Sequence, residues 1–221
     1  MNLLIAAANG QIAKIVENRI LTEPGFKDVR LTLFLRNADR LADLKGNPRV
    51  TLIEGSLDDA TELTTAMAGQ DMVFVAVVDH TPANSWTKNV IAAMQQQCVK
   101  RVLFTNILGL YNEVPGEFGA WNLQMVRAGL PAAIHSDELL ASSGLDYTTL
   151  RLPWLNDHDE IKYTVTHRND QYEGVSGSRQ SVADYVLQLV KDPTRDVKDS
   201  VGMADADTQG WIALSTNKGE R

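Results

Sequence analysis

The candidate for ligand chemistry nearest the N-terminus is a turn that follows a short apolar run. Residues 3–6 are typical of a buried strand, and apolar residues recur at helical spacing beyond Gly10. A turn of this kind can place backbone N–H groups at a helix N-terminus against a phosphate. Ala7 and Ala13 stand where a G-x-x-G-x-x-G pattern has its first and last glycines. The fingerprint is therefore incomplete, and an ordinary strand-to-helix turn is the alternative.

Basic residues follow the second predicted strand, at residues 29–35. A site that prefers NAD usually has Asp or Glu here, which accepts a hydrogen bond from the ribose 2′-hydroxyl. This chain instead has Arg36 and Asn37, with Arg40 shortly after them. Guanidinium groups can pair with the 2′-phosphate of NADP in bidentate fashion. The sequence favours NADP, with NAD possible and a solvated basic loop as the alternative.

Two further loops carry side chains that could contact a ligand. After the third predicted strand, Leu57 could cover an adenine ring and Ser56 could meet its edge. After the fifth strand, Asn106 and Tyr111 could polarise a substrate carbonyl. A reductase of carbonyls needs a proton donor, commonly a Tyr paired with a Lys four residues on. Pro115 stands at that place, and no Tyr-x-x-x-Lys occurs in the sequence.

Metal chemistry is not expected. The four histidines have no i, i+4 pair and no cysteine companion; they are His80, His135, His158 and His167. Residues 157–160 could hold a divalent cation, although a solvated acidic loop is the favoured interpretation. The helix around His135 and Asp137 could line a substrate mouth. Trp121 and Trp154 could form apolar walls or belong to the core.

The composition limits the function classes. The 221 residues are 44% hydrophobic and 22% charged, as in an ordinary globular protein, and the net charge of −7 does not favour a nucleic-acid partner. The single cysteine, Cys98, excludes an intrachain disulfide and is expected to be buried at the end of a helix. We find no signal peptide and no apolar run of about 20 residues, so a cytoplasmic protein is expected.

Strand and helix patterns alternate along most of the chain, which predicts an α/β fold with a doubly wound, mostly parallel sheet and helices on both faces. Three local details follow from the pattern. Asp58 or Asp59 caps a helix with Glu62 as capping-box partner, and Ser181 opens a helix through a second capping box. Strands are expected at 71–78 and, at a sheet edge, at 200–203, and a helix at 137–142. The tail at 215–221 is expected to fray.

We expect a single domain, 1–221, whose part from about residue 153 faces the substrate. Parallel strands place the ligand crevice at their carboxyl ends. The loops expected at this crevice are residues 7–12, 36–40, 55–58, 77–81, 105–111 and 153–158.

The order of short segments along the chain resembles one known family. The segments are residues 7–13, 35–37, 54–58, 68–73, 99–102, 143–153 and 178–184. They resemble the atypical short-chain dehydrogenase/reductase group, specifically its NAD(P)H-binding, NmrA-like branch. The resemblance implies a Rossmann-type fold that holds NAD(P)H, in a family whose members reduce quinones, flavins or tetrapyrroles or act as redox sensors.

The resemblance also assigns site residues. With the loop positions above, it implies that the cofactor is bound by Ala7, Asn9, Gly10, Gln11, Ile12, Arg36, Asn37, Arg40, Ser56, Leu57, Ala76, Val77, Thr105 and Pro153. Where catalytic members have paired serines this chain has Asn106 and Ile107, and the Tyr and Lys positions align with Gly129 and Ala133.

Two functions are compatible with these features. One is an NADPH-dependent oxidoreductase that transfers hydride to a flat, quinone- or flavin-like small molecule, for which orientation and proximity matter most. The other is a non-catalytic NAD(P)-binding redox sensor. The preserved loops that would face the nicotinamide favour the first function, and the missing Tyr/Lys pair favours the second.

Overall fold

The computed structural model of the chain describes residues 1–210. Its strands are β1 (Asn2–Ala6), β2 (Arg30–Leu35), β3 (Val50–Glu54), β4 (Met72–Val75), β5 (Arg101–Ile107), β6 (Asp146–Leu152), β7 (Trp154–Asn156), β8 (Thr164–Thr166), β9 (Ser176–Ser178) and β10 (Asp199–Ala204). Its α-helices are α1 (Gln11–Thr22), α2 (Ala60–Ala66), α3 (Ser85–Gln96), α4 (Gly116–Val126), α5 (Leu130–Ser142) and α6 (Arg179–Lys191). Short 3-10 helices span Pro24–Phe26, Ala38–Leu44 and Ala206–Thr208.

The main sheet has eight strands in the order β3-β2-β1-β4-β5-β6-β10-β8. All neighbours are parallel except β8, which pairs with β10 in the antiparallel sense. The chain winds outward from β1 to β3 and then returns to the other side of β1 with β4. This reversal opens a crevice above the carboxyl ends of β1 and β4. The predicted doubly wound, Rossmann-type α/β fold is confirmed.

Both faces of the sheet are buried under helices. On β1, Leu3 and Ile5 join one cluster with residues of α1 and α6. Leu4 and Ala6 point to the opposite face and join a second cluster with residues of α2 and α3. Because side chains alternate along a strand, a strand covered on both sides must be apolar at every position. This explains the continuous apolar run at the start of the chain.

Some predicted boundaries differ from the structure. The strand expected at residues 71–78 ends at Val75, because the chain then turns to bury Asp79 against α3. The helix expected at 137–142 begins at Leu130, and a further helix, α4, precedes it. The strand expected at an edge, β10, lies inside the sheet, because β8 returns to pair with it.

Both predicted capping boxes are wrong in detail. The cap of α6 is Ser178, whose Oγ accepts from the backbone N–H of Ser181 at 2.9 Å. Asp59 does cap α2, accepting from the N–H groups of Thr61 and Glu62. The Glu62 carboxylate, however, accepts from the N–H of Ser56 at 2.8 Å instead of returning to Asp59. Neighbouring Ser and Asp residues satisfy the same pattern, so the sequence alone does not choose between them.

The prediction for Cys98 is also wrong. The thiol-bearing residue is exposed, and its φ of 57° places it in the left-handed region just after α3. The chain turns there towards β5, which directs the side chain to solvent. The predicted frayed tail, 215–221, lies outside the described residues. Across residues 1–210, none of the helices has the length and apolarity needed to cross a bilayer.

The burial of Glu17 on α1 leads to a prediction about how stability depends on pH. The residue is 2% exposed, and its Oε1 has no hydrogen-bond partner within the described part of the chain. Burial raises the pKa of this carboxyl to about 8 from 4.5; Lys14 opposes the shift and Asp43 adds to it. The unfolded chain therefore loses this proton at lower pH than the folded chain. The folded chain therefore loses stability as the pH rises from 4.5 to about 8, by up to about 1.4 kcal/mol per pH unit.

We expect Glu17→Gln to have a higher free energy of unfolding than the wild type at pH 8 and a similar one at pH 5. Urea unfolding at the two pH values measures both differences. Glu173→Gln, at an exposed position, is the control and should show no such pH dependence. A gain for Glu17→Gln that is the same at both pH values would contradict this account.

Candidate functional site

A cavity of about 540 Å³ opens at the carboxyl ends of β1 to β4. The structure brings together there most of the residues that the sequence predicted for cofactor binding. The lining consists of Ala7, Asn9, Gly10, Phe34, Leu35, Arg36, Asn37, Arg40, Gly55, Ser56, Leu57, Asp58, Ala76, Val77 and Trp86. Four predicted residues are outside this lining, namely Gln11, Ile12, Thr105 and Pro153. Gln11 and Ile12 open α1 beside it, whereas Thr105 and Pro153 are buried further along the sheet.

The turn after β1 forms one wall of the cavity. Ala7 has a φ of 60°, in the left-handed region that favours glycine, and its carbonyl accepts from the Gly10 N–H at 3.1 Å. Gly10 is the N-cap of α1, with no side-chain hydrogen bond to the cap and no acidic residue in the first turn. The first N–H groups of the helix are therefore left for a ligand, at the positive end of the helix dipole.

Two arginines form the far end of the cavity. Arg36 and Arg40 are exposed, and neither makes an ion pair within residues 1–210. The loop that carries them is fixed by other groups. Asn37 Oδ1 accepts from the N–H of Asp39 at 3.0 Å, and Glu54 Oε2 accepts from the N–H of Ala38 at 3.1 Å. The loop is thus held while both guanidinium groups remain available to an anion.

The wall that could receive a ring system combines residues from β2, the β3–α2 turn and α3. Trp86 Nε1 donates to Asp58 Oδ1 at 2.7 Å, and Asn89 Nδ2 donates to the Leu57 carbonyl at 2.9 Å. Gly55 must lack a side chain, because a Cβ there would lie 2.4 Å from the ring of Phe34.

Three lining residues lie outside the predicted loops: Phe34, Leu35 and Trp86. Gly55 and Asp58 lie within the predicted loop 55–58 but were not assigned to cofactor binding. Phe34 and Leu35 directly precede the predicted loop 36–40, so widening that loop by two positions would have found them. Trp86 gave no local signal, since its approach to the cavity depends on how α3 packs beside α2.

Asn106 does not offer a free amide to a substrate. The residue is buried, its Nδ2 donates to the carbonyl of Ala133 at 3.0 Å, and its Oδ1 accepts from the N–H of Ile107 at 2.9 Å. These bonds tie the end of β5 to α5. The geometry therefore supports a positioning role for Asn106 instead of the predicted contact with a substrate carbonyl.

Tyr111 is also bound within the protein. Its hydroxyl donates to Asp137 Oδ2 at 2.5 Å, and the same carboxylate accepts from Thr149 at 2.6 Å and contacts Arg168 at 3.4 Å. Burial and the Asp137 carboxylate raise the pKa of Tyr111 above its ordinary value. A committed hydroxyl with a raised pKa is a poor proton donor. The geometry does not favour the predicted catalytic role.

A buried ion pair holds the loop that carries Tyr111. Glu113 Oε1 lies 2.8 Å from Arg151 Nη1 and also accepts from the Gly109 N–H, while Oε2 accepts from the Tyr111 N–H. Burial alone would raise the pKa of Glu113, but Arg151 and the Gly109 N–H hold it below its ordinary value. The Arg151 and Arg168 guanidinium groups lie 5.3 and 4.8 Å from the centroid of the Tyr111 ring. The loop after β5 is thus fixed by charge and by stacking.

The other predicted features lie away from the cavity. The ring centroids of Trp121 and Trp154 lie 4.5 Å apart, and both rings pack against a small third core cluster. Asp137 is buried, and His135 lines an open groove between α4 and α5. Within the described chain, residues 157–160 form no group of three potential metal ligands.

One such group was not predicted: His167, Asp196 and Asp199. It lies near the amino end of β10, at the opposite edge of the sheet from the cavity, and Asp196 already accepts from Tyr185 and pairs with Arg195. This group therefore gives no support for a metal at the cavity.

Residues 7–193 match a protein-family model described as NAD(P)H-binding. A short-chain dehydrogenase/reductase from Veillonella parvula, solved in complex with NADP, is 26% identical with a TM-score of 0.87, over 94% of this chain and 96% of that one. A Rossmann-fold NAD(P)-binding family protein from Shigella flexneri is 31% identical with a TM-score of 0.76, over 95% and 96% of the two chains. The anaerobillin reductase ChuY from Escherichia coli O157:H7 shares the fold at 18% identity and a TM-score of 0.75, over 94% and 98%. No curated protein matches the chain.

The left-handed conformation of Ala7 generates a prediction. A Cβ in this region costs about 1–2 kcal/mol, which glycine avoids, although glycine also makes the unfolded chain more flexible. We expect Ala7→Gly to raise the free energy of unfolding by up to about 1 kcal/mol and to tighten dinucleotide binding by allowing a closer approach to the turn. Urea unfolding and fluorescence titration measure the two effects. Ala13→Gly is the matched control: in the first turn of α1 it should destabilise by up to about 1 kcal/mol. Weaker binding by Ala7→Gly would contradict the prediction.

The second prediction concerns Tyr111. Tyr111→Phe removes one donor from the buried Asp137 and should lower the free energy of unfolding by about 1–3 kcal/mol. Dinucleotide affinity should stay within twofold of the wild type, because the hydroxyl faces Asp137 and not the cavity. Urea unfolding and binding titration test both statements. A variant with wild-type stability and impaired binding would restore Tyr111 as a candidate ligand-contacting residue.

Proposed function

This chain belongs to the NAD(P)H-binding family, as an oxidoreductase of the atypical short-chain dehydrogenase/reductase type, and we propose that it is an NADPH-dependent reductase of a flat, electron-poor small molecule such as a quinone or flavin. The observation that carries the cofactor assignment is the pair of free guanidinium groups, Arg36 and Arg40, at the end of the cavity. The missing Tyr/Lys pair supports an acceptor whose reduction depends mainly on its orientation beside the cofactor.

The residues of the cavity fit an extended dinucleotide. In the proposed arrangement the pyrophosphate lies at the uncapped first turn of α1, near Asn9, Gly10, Gln11 and Ile12. The adenine packs by Ser56 and Leu57, and the 2′-phosphate lies between Arg36 and Arg40 with Asn37 holding the loop. Ala7, Ala76 and Val77 line the path towards the nicotinamide, whose surroundings include Thr105 and Pro153. Two positive groups and a helix N-terminus balance the negative charge of the phosphates.

NADPH supplies a hydride when it is bound, and the protein must place the acceptor beside it. We propose that the part of the chain from about residue 153, including β7 and its partner β9, forms one wall of the acceptor site. Asn106 holds α5 against the end of β5, and the Glu113–Arg151 pair fixes the following loop. A rigid surround of this kind favours catalysis by orientation and proximity.

A non-catalytic redox sensor is the second candidate function. The observation in its favour is that Asn106 and Tyr111 are both committed to protein partners. Oxidation of NADPH by a panel of quinones and flavins separates the two functions. The reductase requires turnover with at least one acceptor, whereas binding of NADPH without any turnover would favour the sensor.

The preference for NADPH rests on Arg36. Loss of a charge-assisted contact to the 2′-phosphate costs about 1.5–3 kcal/mol, so we expect Arg36→Asp to weaken NADPH binding by about 10- to 100-fold. The new carboxylate could accept from a ribose 2′-hydroxyl, so NADH binding should be retained or improved. Fluorescence titration with both dinucleotides gives the four dissociation constants needed.

Arg127→Asp makes the same change of charge just after α4, outside the cavity, and serves as the control. It should leave the ratio of the two dissociation constants unchanged. Equal affinity of the wild type for NADPH and NADH would overturn the assignment of NADP as the cofactor.

A further inference from the structure

We propose that His80 is the catalytic residue that donates the proton to the acceptor, an inference that rests on the proposed reductase function. His80 lies in the loop between β4 and α3, four residues after Ala76, which lines the cofactor cavity. Its Nδ1 lies 4.0 Å from the position that a Cβ on Gly129 would take, at the start of α5. An imidazole therefore occupies the corner where the loop after β4 meets α5, at the carboxyl edge of the sheet.

The loop that carries His80 is rigidly held. The neighbouring carboxylate, Asp79, is 2% exposed and accepts from the N–H and hydroxyl groups of both Thr81 and Thr87, at 2.6 to 2.9 Å. Burial would raise the pKa of Asp79, but these four donors hold it below its ordinary value. Its charge is thus satisfied within the loop, and the backbone on both sides of His80 is fixed.

Two further bonds join this loop and α3 to α5. Asn84 Nδ2 donates to the Ala132 carbonyl at 2.9 Å, and the hydroxyls of Thr87 and Ser136 share a hydrogen bond of 2.8 Å. Asn106, at the end of β5, donates to the next carbonyl on the same helix, that of Ala133. The three segments therefore converge on the N-terminal half of α5, and the backbone that carries His80 lies among them.

His80 differs from the other histidines in its partners. His135, His158 and His167 each have a carboxylate oxygen close to Nδ1, at 3.6, 3.7 and 2.7 Å respectively. His80 is exposed and makes no ion pair or side-chain hydrogen bond within residues 1–210. Its ring nitrogens are free for a ligand, whereas the polar atoms of Asn106 and the hydroxyl of Tyr111 are engaged.

The chemistry balances with His80 as donor. The acceptor gains a hydride, and with it two electrons, from the reduced cofactor, and it gains one proton from the His80 imidazolium. A bond from the acceptor to hydrogen forms in each transfer; a C–H bond of the reduced cofactor breaks to give the hydride, and the imidazolium N–H bond breaks to give the proton. The neutral imidazole then recovers a proton from water, which its exposed position allows. Imidazole suits this role because it both donates and recovers a proton near neutral pH.

The first test uses His80→Gln and His80→Ala with NADPH and a quinone that the wild type reduces. We expect kcat to fall by about 100-fold in both variants, with the dissociation constant for NADPH within twofold of the wild type. Free imidazole added to His80→Ala should restore at least a tenth of the wild-type kcat, because it can supply the missing proton. His167→Ala, at the opposite edge of the sheet, is the control and should keep its activity.

The second test does not depend on turnover. With histidines labelled in the ring, the wild type gives four sets of imidazole NMR signals, and the His80→Gln spectrum identifies those of His80. Addition of NADP⁺ and the quinone should shift the His80 signals and leave those of His167 in place. Unchanged His80 signals would overturn the proposal.

The outcomes distinguish the two proposals. If the wild type binds NADPH but reduces no acceptor in the panel, the reductase function fails and the donor role fails with it. If the wild type reduces a quinone and His80→Gln retains kcat within twofold, only the role of His80 is overturned. A loss of kcat that imidazole does not relieve in His80→Ala also overturns proton donation by His80.

Discussion

The buried pair of Glu113 and Arg151 is the interaction on which the later half of the fold depends. The side chain of Arg151 is fully buried on β6, and its second guanidinium nitrogen donates to the carbonyls of Thr166, His167 and Ser200. One cation therefore joins the loop after β5, the end of β8 and the start of β10. Removing one partner of such a pair typically costs about 3–5 kcal/mol, because the other charge is left buried without compensation. The local sequence around either residue gives no sign of this partnership, since 38 positions separate them.

The parts of the fold that the sequence predicted share a physical origin. A strand covered on both faces must be apolar throughout, so β1 and β4 are visible as continuous apolar runs, and amphipathic periodicity marks α1 and α3. The doubly wound order follows from the alternation of these patterns. The boundaries were less predictable. Ser178 and Ser181 both satisfy a capping pattern, and the choice between them depends on where the chain enters the helix.

The residues of the candidate site were likewise predictable only in part. The turn at Ala7, the basic loop at Arg36 and the turn at Leu57 follow strand ends, so the parallel topology alone brings them to one edge. Trp86 reaches the same cavity only because α3 packs beside α2. The direction of the Tyr111 hydroxyl is set by Asp137, 26 positions later. Sequence spacing indicates which loops meet, but it does not reveal which polar atoms are already hydrogen-bonded to residues elsewhere in the chain.

Most polar side chains at this edge of the sheet are already hydrogen-bonded within the protein. Asp79 accepts from two threonines, Asn106 donates to a helix carbonyl, and Tyr111 donates to a buried carboxylate. Groups of this kind give rigidity to a crevice and leave few atoms for chemistry. The exposed arginines and His80 are different, because their charged or titratable ends stay free of the network.

The position of Cys98 has a practical consequence. It is the single thiol in the sequence, it is exposed, and it lies just before β5, at the amino edge of the sheet. The cavity lined by Ala7, Arg36 and Leu57 opens at the other edge, so a fluorophore or a surface linker attached to this sulfur would mark one defined point without obstructing entry to that cavity. The same accessibility makes the chain able to join covalently to a second copy of itself under oxidising storage, so a reducing agent belongs in its buffers.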